Sequence, residues 1–574
     1  MILSKLCELA QRDDLLANPD YEPKGVAWII AVGDGGKFFE AIPTASEEGP
    51  GKKPRAKVFS VPRRVGRTSS AVADFLVDKS EYVLGVEPDG KRSPEDLQER
   101  RELFLQSVTA ARETTNSPAL SAVEAFVGSE AERGRAAETL SRAGYASNDL
   151  FAFQYGRQLV HDLPDVQAYF SRLRRTTTED GVQCLICGRN GPPVEKHQPV
   201  KIPGGTTSGI ALVSFNSDAF ESYGLLRNEN APVCRDCADA YTTALNRLLS
   251  DRYPDPRHTG QTLPRRFVRL SPDTTAVFWA DGEVPVLDLL TTFFDAPRVE
   301  TVAELLAAPH KGRKPTNLSN QFYCLILSGG QGRAVLRGMH TGTVQQVEQS
   351  MAAYFESIDI GSEQPLPLRR LLESAALLGK SENLPPGLVS EALLAILFGR
   401  RFPHTLLARA VERCRAEQKV TRERAALLRA YLIRNLKWEV SVGLDKANTQ
   451  PGYRLGRLMA VLERVQGVAL KNPNKTIVDR YYGAASTRPG TVFPRLIALA
   501  QHHLAKLEGG SETFYQKRLG EVVEGIALFP PTLSLEEQGL FALGYYHQRQ
   551  DFFKKRESPE GPEDENSSAN EEGL

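Results

Sequence analysis

Residues 24–42 read KGVAWIIAVGDGGKFFEAI. Trp28-Ile29-Ile30-Ala31-Val32 and Phe38-Phe39-Glu40-Ala41-Ile42 are apolar β-formers on either side of Gly33-Asp34-Gly35-Gly36. That is the pattern of two strands joined by a turn. Downstream, 45–57 is rich in Gly, Lys, Pro and Glu and reads as a loop, and Val58-Phe59-Ser60-Val61 reads as a strand that Pro62 ends. Residues 94–113 and 129–143 have helix-forming composition, and Phe151 to Val160 alternates as a strand does. The front of the chain is therefore predicted to mix strands and helices.

Further on, Thr275–Ala280 and Phe322–Leu327 read as buried strands. Ala334-Val335-Leu336 continues the second as a hairpin past Gly329-Gly330-Gln331-Gly332, and 343–357 follows as a helix. Strand, loop, strand and helix in this order resemble part of a ferredoxin-like module. From about residue 366 the pattern turns helical: Leu368–Leu378, Leu388–Leu397 and Leu406–Tyr431 carry apolar residues at three- and four-residue spacings. After Gln450-Pro451-Gly452, the residues Leu455, Leu458, Met459, Leu462 and Val465 share one face, as do Leu496, Leu499, Ala500, Leu504 and Leu507. Ser534 with Glu537 fits a capping box before Leu540–Tyr546. This last block reads as a helical bundle.

The chain has 574 residues, 71 basic and 71 acidic side chains, and is 41% hydrophobic, 25% charged and 8% aromatic. These are the proportions of a soluble globular protein, so a wholly disordered chain is excluded. No stretch approaches the ~18–20 apolar residues a spanning helix needs, so no membrane association is expected. The opening MILSKLCELAQRDD has too short an apolar run for a secretory signal, and a cytoplasmic protein is expected. From Glu557 onward there are seven acids and no Lys or Arg, which leaves the body about +7. Residues 554–574 are expected to form a disordered acidic tail. Mild positive charge permits nucleic-acid binding without requiring it.

Seven cysteines occur, four of them as two CxxC pairs: Cys184 and Cys187 in QCLICGRNGP, and Cys234 and Cys237 in APVCRDCADAY. In a reducing compartment such pairs favour metal over disulfide. Each tight turn supplies two thiolates of a tetrahedral set, and Gly188 suits the left-handed residue of a knuckle. The expectation is one structural Zn2+ bound by Cys184, Cys187, Cys234 and Cys237, with no open coordination position for catalysis. Unligated thiols and a redox role are the alternatives. Cys7, Cys324 and Cys414 lie in apolar sequence as small hydrophobes.

The fold class expected is α+β: a mixed α/β N-terminal region with an inserted zinc-ribbon-like subdomain, followed by a C-terminal α-helical bundle. The divisions expected are 1–165, a metal-binding insert at 166–250, an α/β core at 251–365, a helical region at 366–449, the bundle at 450–553 and the tail at 554–574. No P-loop, dinucleotide fingerprint, HExxH or GxSxG is present, and no catalytic residue is assigned. His502-His503 point in different directions on one helix and read as surface residues. What stands out is the loop Pro62-Arg63-Arg64-Val65-Gly66-Arg67-Thr68-Ser69-Ser70. Arg donates bidentately to phosphates and base edges, and small hydroxyl residues allow close backbone approach. The plainer reading is a solvated basic turn.

Several stretches resemble the large subunit of the type I-C CRISPR Cascade, the Csd-type large-subunit family. They are Arg67-Thr68-Ser69 leading into ADFLVDKSEYVLG (73–85), SGIALVSFNSDAFESYG (208–224), NAP (230–232), FWADGE (278–283), DRYYGAASTRPGTVFPRL (479–496) and EEQGLFALGYYHQRQDFF (536–553). They span nearly the whole chain in the family's order. The position after Val233 is often not Cys in that family, so the zinc site rests on spacing alone.

The resemblance implies a non-catalytic subunit at the crRNA 5′ end. It would read a protospacer-adjacent motif in target double-stranded DNA, help open the duplex and receive a helicase-nuclease. Cascade backbone and crRNA-processing subunits and a small subunit would be its other partners. It then places Arg63, Arg64, Arg67, Thr68, Ser69 and Ser70 at the DNA or the crRNA 5′ handle. Lys471, Lys475, Arg480, Arg488 and Arg495 are candidates to track a displaced strand or the guide–target duplex, against the plainer reading of solvated surface. The bundle resembles the small subunit, for which Met459 is a candidate internal start and also an ordinary helix-core residue. The competing class is a stand-alone zinc-containing nucleic-acid-binding protein or nuclease.

Overall fold

The computed structural model describes residues 2–16, 20–45, 56–64, 71–174, 181–256, 258, 261–307, 320–330, 332–361, 364–385, 387–470 and 473–553. It is mixed α+β, with small sheets and a C-terminal helical region. The chain divides into two compact units, residues 1–278 with 324–339, and residues 279–323 with 340–574. Among the described residues no helix is long and apolar enough to cross a membrane.

The first unit begins with α1 (Ile2–Arg12), β1 (Tyr21–Val26), β2 (Trp28–Val32), β3 (Phe38–Pro43) and β4 (Lys57–Pro62). The predicted hairpin is present: β2 and β3 pair antiparallel, with Ile29 opposite Ile42, around a short 3-10 turn at Asp34–Gly36. Then come α2 (Pro94–Thr115), α3 (Pro118–Gly128), α4 (Glu130–Ala143) and β5 (Leu150–Tyr155). Ser93 and Ser129 cap α2 and α4 by accepting from the Asp96 and Glu132 N–H groups, which is why both helices begin there.

β5 lies parallel to β2, with Trp28 opposite Phe151, and its alternation sorts its residues between two cores. Phe151 and Phe153 face Trp28, Ile30, Phe104, Val123 and Phe126, while Leu150 and Ala152 join Val26, Val61 and Val77. A two-residue period on a sheet buried on both sides explains the nearly continuous apolar run of β2. β1 and β4 form a separate antiparallel pair, so Tyr21 sits opposite Pro62, where the basic loop leaves the sheet.

Beyond a helix at Pro164–Arg174 and α5 (Arg235–Leu248), the insert holds little regular structure, with a small pairing of Val182–Gln183 with Asn190–Gly191. After it, β6 (Phe267–Arg269), β7 (Thr274–Ala280), β8 (Gln321–Gly330) and β9 (Arg333–Thr343) form a sheet in chain order. This corrects the ferredoxin-like expectation, because strands of a split βαβ module interleave and these do not.

In the second unit, α6 (Val344–Ile358), α7 (Leu388–Leu397), α8 (His404–Glu417) and α9 (Arg422–Leu436) follow. The apolar run Leu406–Tyr431 is thus two helices. Gln418 adopts a left-handed conformation (φ 49°) and Thr421 caps α9 by accepting from the Arg424 N–H, so the chain turns where the apolar spacing continues. Buried Arg429 reaches back to donate to the Glu356 and Ser357 carbonyls, at 2.7 and 3.0 Å, satisfying acceptors that the end of α6 leaves open.

The bundle is α10 (Pro451–Leu470), α11 (Ile477–Thr487), α12 (Pro489–Leu504), α13 (Gly510–Val523) and α14 (Leu535–Asp551). The Ser534–Glu537 capping box is formed. Met459 is fully buried within α10. A chain begun there would lack Tyr453, whose hydroxyl is 2.9 Å from His547 Nδ1 on α14.

Candidate metal centre and nucleic-acid interface

The Cys184, Cys187, Cys234 and Cys237 sulfurs all lie within 4.8 Å of one another, so the insert brings together four ligands able to hold one metal ion. Cys187 Sγ and Cys234 Sγ are 3.7 Å apart. The first knuckle closes through hydrogen bonds from Cys184 N to Arg189 O and from Gly188 N to Cys184 O, both 2.9 Å. Gly188 has φ +75°, which a side chain would strain. The second pair sits at the start of α5, where Cys234 is the N-cap residue and Cys237 lies in the first turn. Helix N-termini favour negative charge, which suits thiolates. The two knuckles are joined by backbone: Leu185 N donates to Pro232 O and Val194 N to Val233 O, both at 2.9 Å.

Partial burial opposes ionisation of Cys187, yet the Arg189 backbone N–H, the Arg189 guanidinium and the neighbouring thiols hold its pKa down at about 6. Burial pushes Cys234 up to about 11, and burial together with Cys234 drives Cys237 higher still. Four charges cannot be held this close unless a cation balances them. Behind α5, Cys7 of α1 donates from Sγ to Cys237 O at 3.4 Å; it is buried, as are Cys324 and Cys414.

Of the basic stretch, Arg63 and Arg64 are among the described residues. Arg63, expected at nucleic acid, lies inside the fold with 5% exposure. Its guanidinium donates to Tyr21 O at 3.2 Å, and its Nε is 3.7 Å from Asp239 of α5. Its guanidinium is thus engaged within the fold. Arg64 is partly exposed but committed: Nε donates to buried Asp74 at 2.5 Å, and its carbonyl accepts from Gln198 Nε2 at 3.1 Å. Since Arg64 precedes the loop and Asp74 follows it, this pair ties the two ends of the loop together. Arg67, Thr68, Ser69 and Ser70 lie outside the described residues. Replacing Arg63 with Ala is expected to cost about 3–5 kcal/mol in chemical denaturation, because it removes a buried guanidinium together with its contacts to the Tyr21 carbonyl and Asp239.

In the bundle, Lys471 lies outside the described residues. Lys475, Arg480, Arg488 and Arg495 are exposed, and among the described residues none of the four has a carboxylate within ion-pair distance. Arg480 is on α11, Arg488 at the α11–α12 junction and Arg495 on α12. By contrast, Arg92, Arg100, Arg112 and Arg424 are each paired with acids. His502 is exposed at the end of α12, as read from its spacing.

Sequence reasoning missed the link between the loop stem and the metal helix. Its one legible trace is that Arg63 directly follows the buried end of β4, Val61-Pro62. Comparison with known families finds that a model described as CRISPR-associated protein (Cas_Csd1) matches residues 3–553. No curated protein matches.

Proposed function

The chain belongs to the CRISPR-associated Csd1 family, the family of type I-C large subunits, and from that membership we propose its role in detail. It is the non-catalytic large subunit of a type I-C Cascade in the cytoplasm. It reads a protospacer-adjacent motif in duplex DNA beside the crRNA 5′ end, helps open the duplex and offers a platform to a helicase-nuclease. Membership in the family implies a CRISPR complex with crRNA and other Cas subunits.

The observation that carries the nucleic-acid reading is a set of cations without ion pairs among the described residues, Arg480, Arg488 and Arg495, on and between two consecutive helices. Exposed Arg without a carboxylate neighbour is free to meet phosphate, and phosphate contacts fix register on a nucleic acid. Motif reading falls to Arg67, Thr68, Ser69 and Ser70, which follow the anchored Arg63 and Arg64 in the chain.

The metal is zinc. A Zn–S distance of ~2.3 Å gives a tetrahedron with edges of about 3.8 Å, which suits the 3.7 Å between Cys187 and Cys234. Cys184, Cys187, Cys234 and Cys237 would hold it, and with four protein ligands it supplies cross-linking and no reaction. Asp239 and Thr243, the α5 partners of Arg63, follow Cys237 on the same helix. Zinc would thus steady the base of the loop.

The test is target-duplex binding by the assembled complex over a range of salt. Changing Arg480, Arg488 and Arg495 together to Ala is expected to weaken binding for all sequences alike and to flatten the salt dependence by about one unit of slope per residue lost. Arg67→Ala is expected to erode discrimination between matched and mutated flanking motifs. Unchanged affinity in the first and unchanged discrimination in the second would overturn these assignments. Turnover of DNA by the isolated chain would overturn the non-catalytic role.

A further inference from the structure

Beside the metal knuckle lies an apolar cavity of about 390 Å³ lined by Leu3 of α1, Leu185, Ile186, Val213, Val233 and Met339 among others. That falls within the ~300–1,000 Å³ of sites that enclose a ligand-sized group. Among the described residues its lining holds no charged side chain. Leu185 and Ile186 are the two residues between Cys184 and Cys187, so a bound metal would fix their position. Leu185 is 69% exposed, an unusual place for a large apolar side chain on a rigid turn.

The chain reaches the cavity at Ala231 directly from the loop 221–230. This loop carries further exposed apolar groups: Tyr223, wholly exposed, Leu225 and Leu226. Tyr223 holds a left-handed backbone (φ 57°), a costly state for an aromatic residue. Hydrogen bonds within the loop enforce it. Ser222 N donates to Asn230 Oδ1 at 2.9 Å, and Asn230 Nδ2 donates to the Leu225 and Arg227 carbonyls at 2.8 and 2.9 Å. Tyr223 is therefore presented and held.

The charge of this segment bears on the partner. Asp218, Glu221 and Glu229 are without ion pairs among the described residues, Arg227 is paired with Glu195, and one further cation, Arg333, lies over the Phe220 ring. With three acids against Arg333 the segment is net acidic, which disfavours phosphate, and an uncharged cavity offers phosphate nothing.

We propose that the knuckle cavity and the Tyr223 loop form a docking surface for another protein subunit of the complex, one that inserts apolar side chains flanked by Lys or Arg. This rests on the reading of the chain as a subunit of a guide-loaded complex, and it gives the metal site a second task. Aromatic anchors set in a rigid frame are the usual centres of such interfaces.

The experiment uses the full chain co-expressed with the subunits encoded beside it and their CRISPR RNA. Tyr223→Asn keeps a residue that tolerates the left-handed backbone, and Leu185→Gln adds no charge near the thiolates. With zinc content and thermal unfolding unchanged, the double variant is expected to bind the remaining complex about tenfold or more weakly. A photo-crosslinking residue at 223 is expected to join a protein subunit. Assembly of the wild-type chain with affinity undiminished in the variant would overturn the docking proposal and leave the subunit reading standing. Crosslinking to DNA or RNA would also overturn it. Failure of the wild-type chain to join any ribonucleoprotein would instead overturn the subunit reading.

Discussion

Cys237→Ser is expected to empty the metal site and unfold the insert. Residues 181–233 contain only short pairings, two 3-10 turns at Asp218–Phe220 and Arg227–Asn230, and single bridges such as Val200 with Ile210 and Ser222 with Leu225. With so little hydrogen-bonded structure of its own, the insert depends on the cross-link between its two knuckles. Structural zinc sites in small domains supply apparent binding free energies of about 10–16 kcal/mol near neutral pH, which is folding free energy where no other frame exists. The expected readings are loss of bound zinc, rapid proteolysis within 195–230 and a lowered melting temperature. Metal retention should also fall as pH drops, because the thiols must lose protons to bind. Motif discrimination should weaken in the same variant, since α5 carries Cys237 together with Asp239 and Thr243, the partners of the loop stem. A variant that loses zinc yet resists protease and melts as before would remove the structural role.

Gly456→Ala is expected to destabilise the bundle strongly. A Cβ at Gly456 of α10 would land on the Phe541 carbonyl oxygen of α14, and one at Gly544 would land on that of Tyr453. The two helices meet backbone to backbone, so no side chain can swing aside. Overpacking a core typically costs about 1–3 kcal/mol, and contact with rigid backbone belongs at the upper end or beyond. Gly467 of the same helix is the control. Nothing lies within 4 Å of a Cβ there, so Gly467→Ala is expected to stabilise the helix by roughly 0.5–1 kcal/mol. Denaturant midpoints of the two variants should move in opposite directions. Equal shifts would mean that the close approach of α10 and α14 contributes nothing.

Much of the architecture was legible in short stretches. The β2–β3 hairpin, the capping box at Ser534 and the left-handed Gly188 all arise from interactions among near neighbours in the chain. The division of Leu406–Tyr431 was not, because apolar spacing continues through the turn at Gln418 and only the backbone marks the break. The sheet order of β6 to β9 escaped for a related reason, since strand pairing is set by distant contacts and not by local pattern.

The two CxxC pairs by themselves determined the four thiols able to hold a metal ion, because two sulfurs per tight turn are a local geometry. Full-length family motifs likewise settled membership. Arg63 is the opposite case. By composition it belongs to an exposed basic loop, and only the fold shows that it is buried beside Asp239 and near Thr243, 180 residues away in the chain. Burial is decided by which distant surfaces meet, and a charged side chain follows its partner inward whatever its neighbours in sequence suggest.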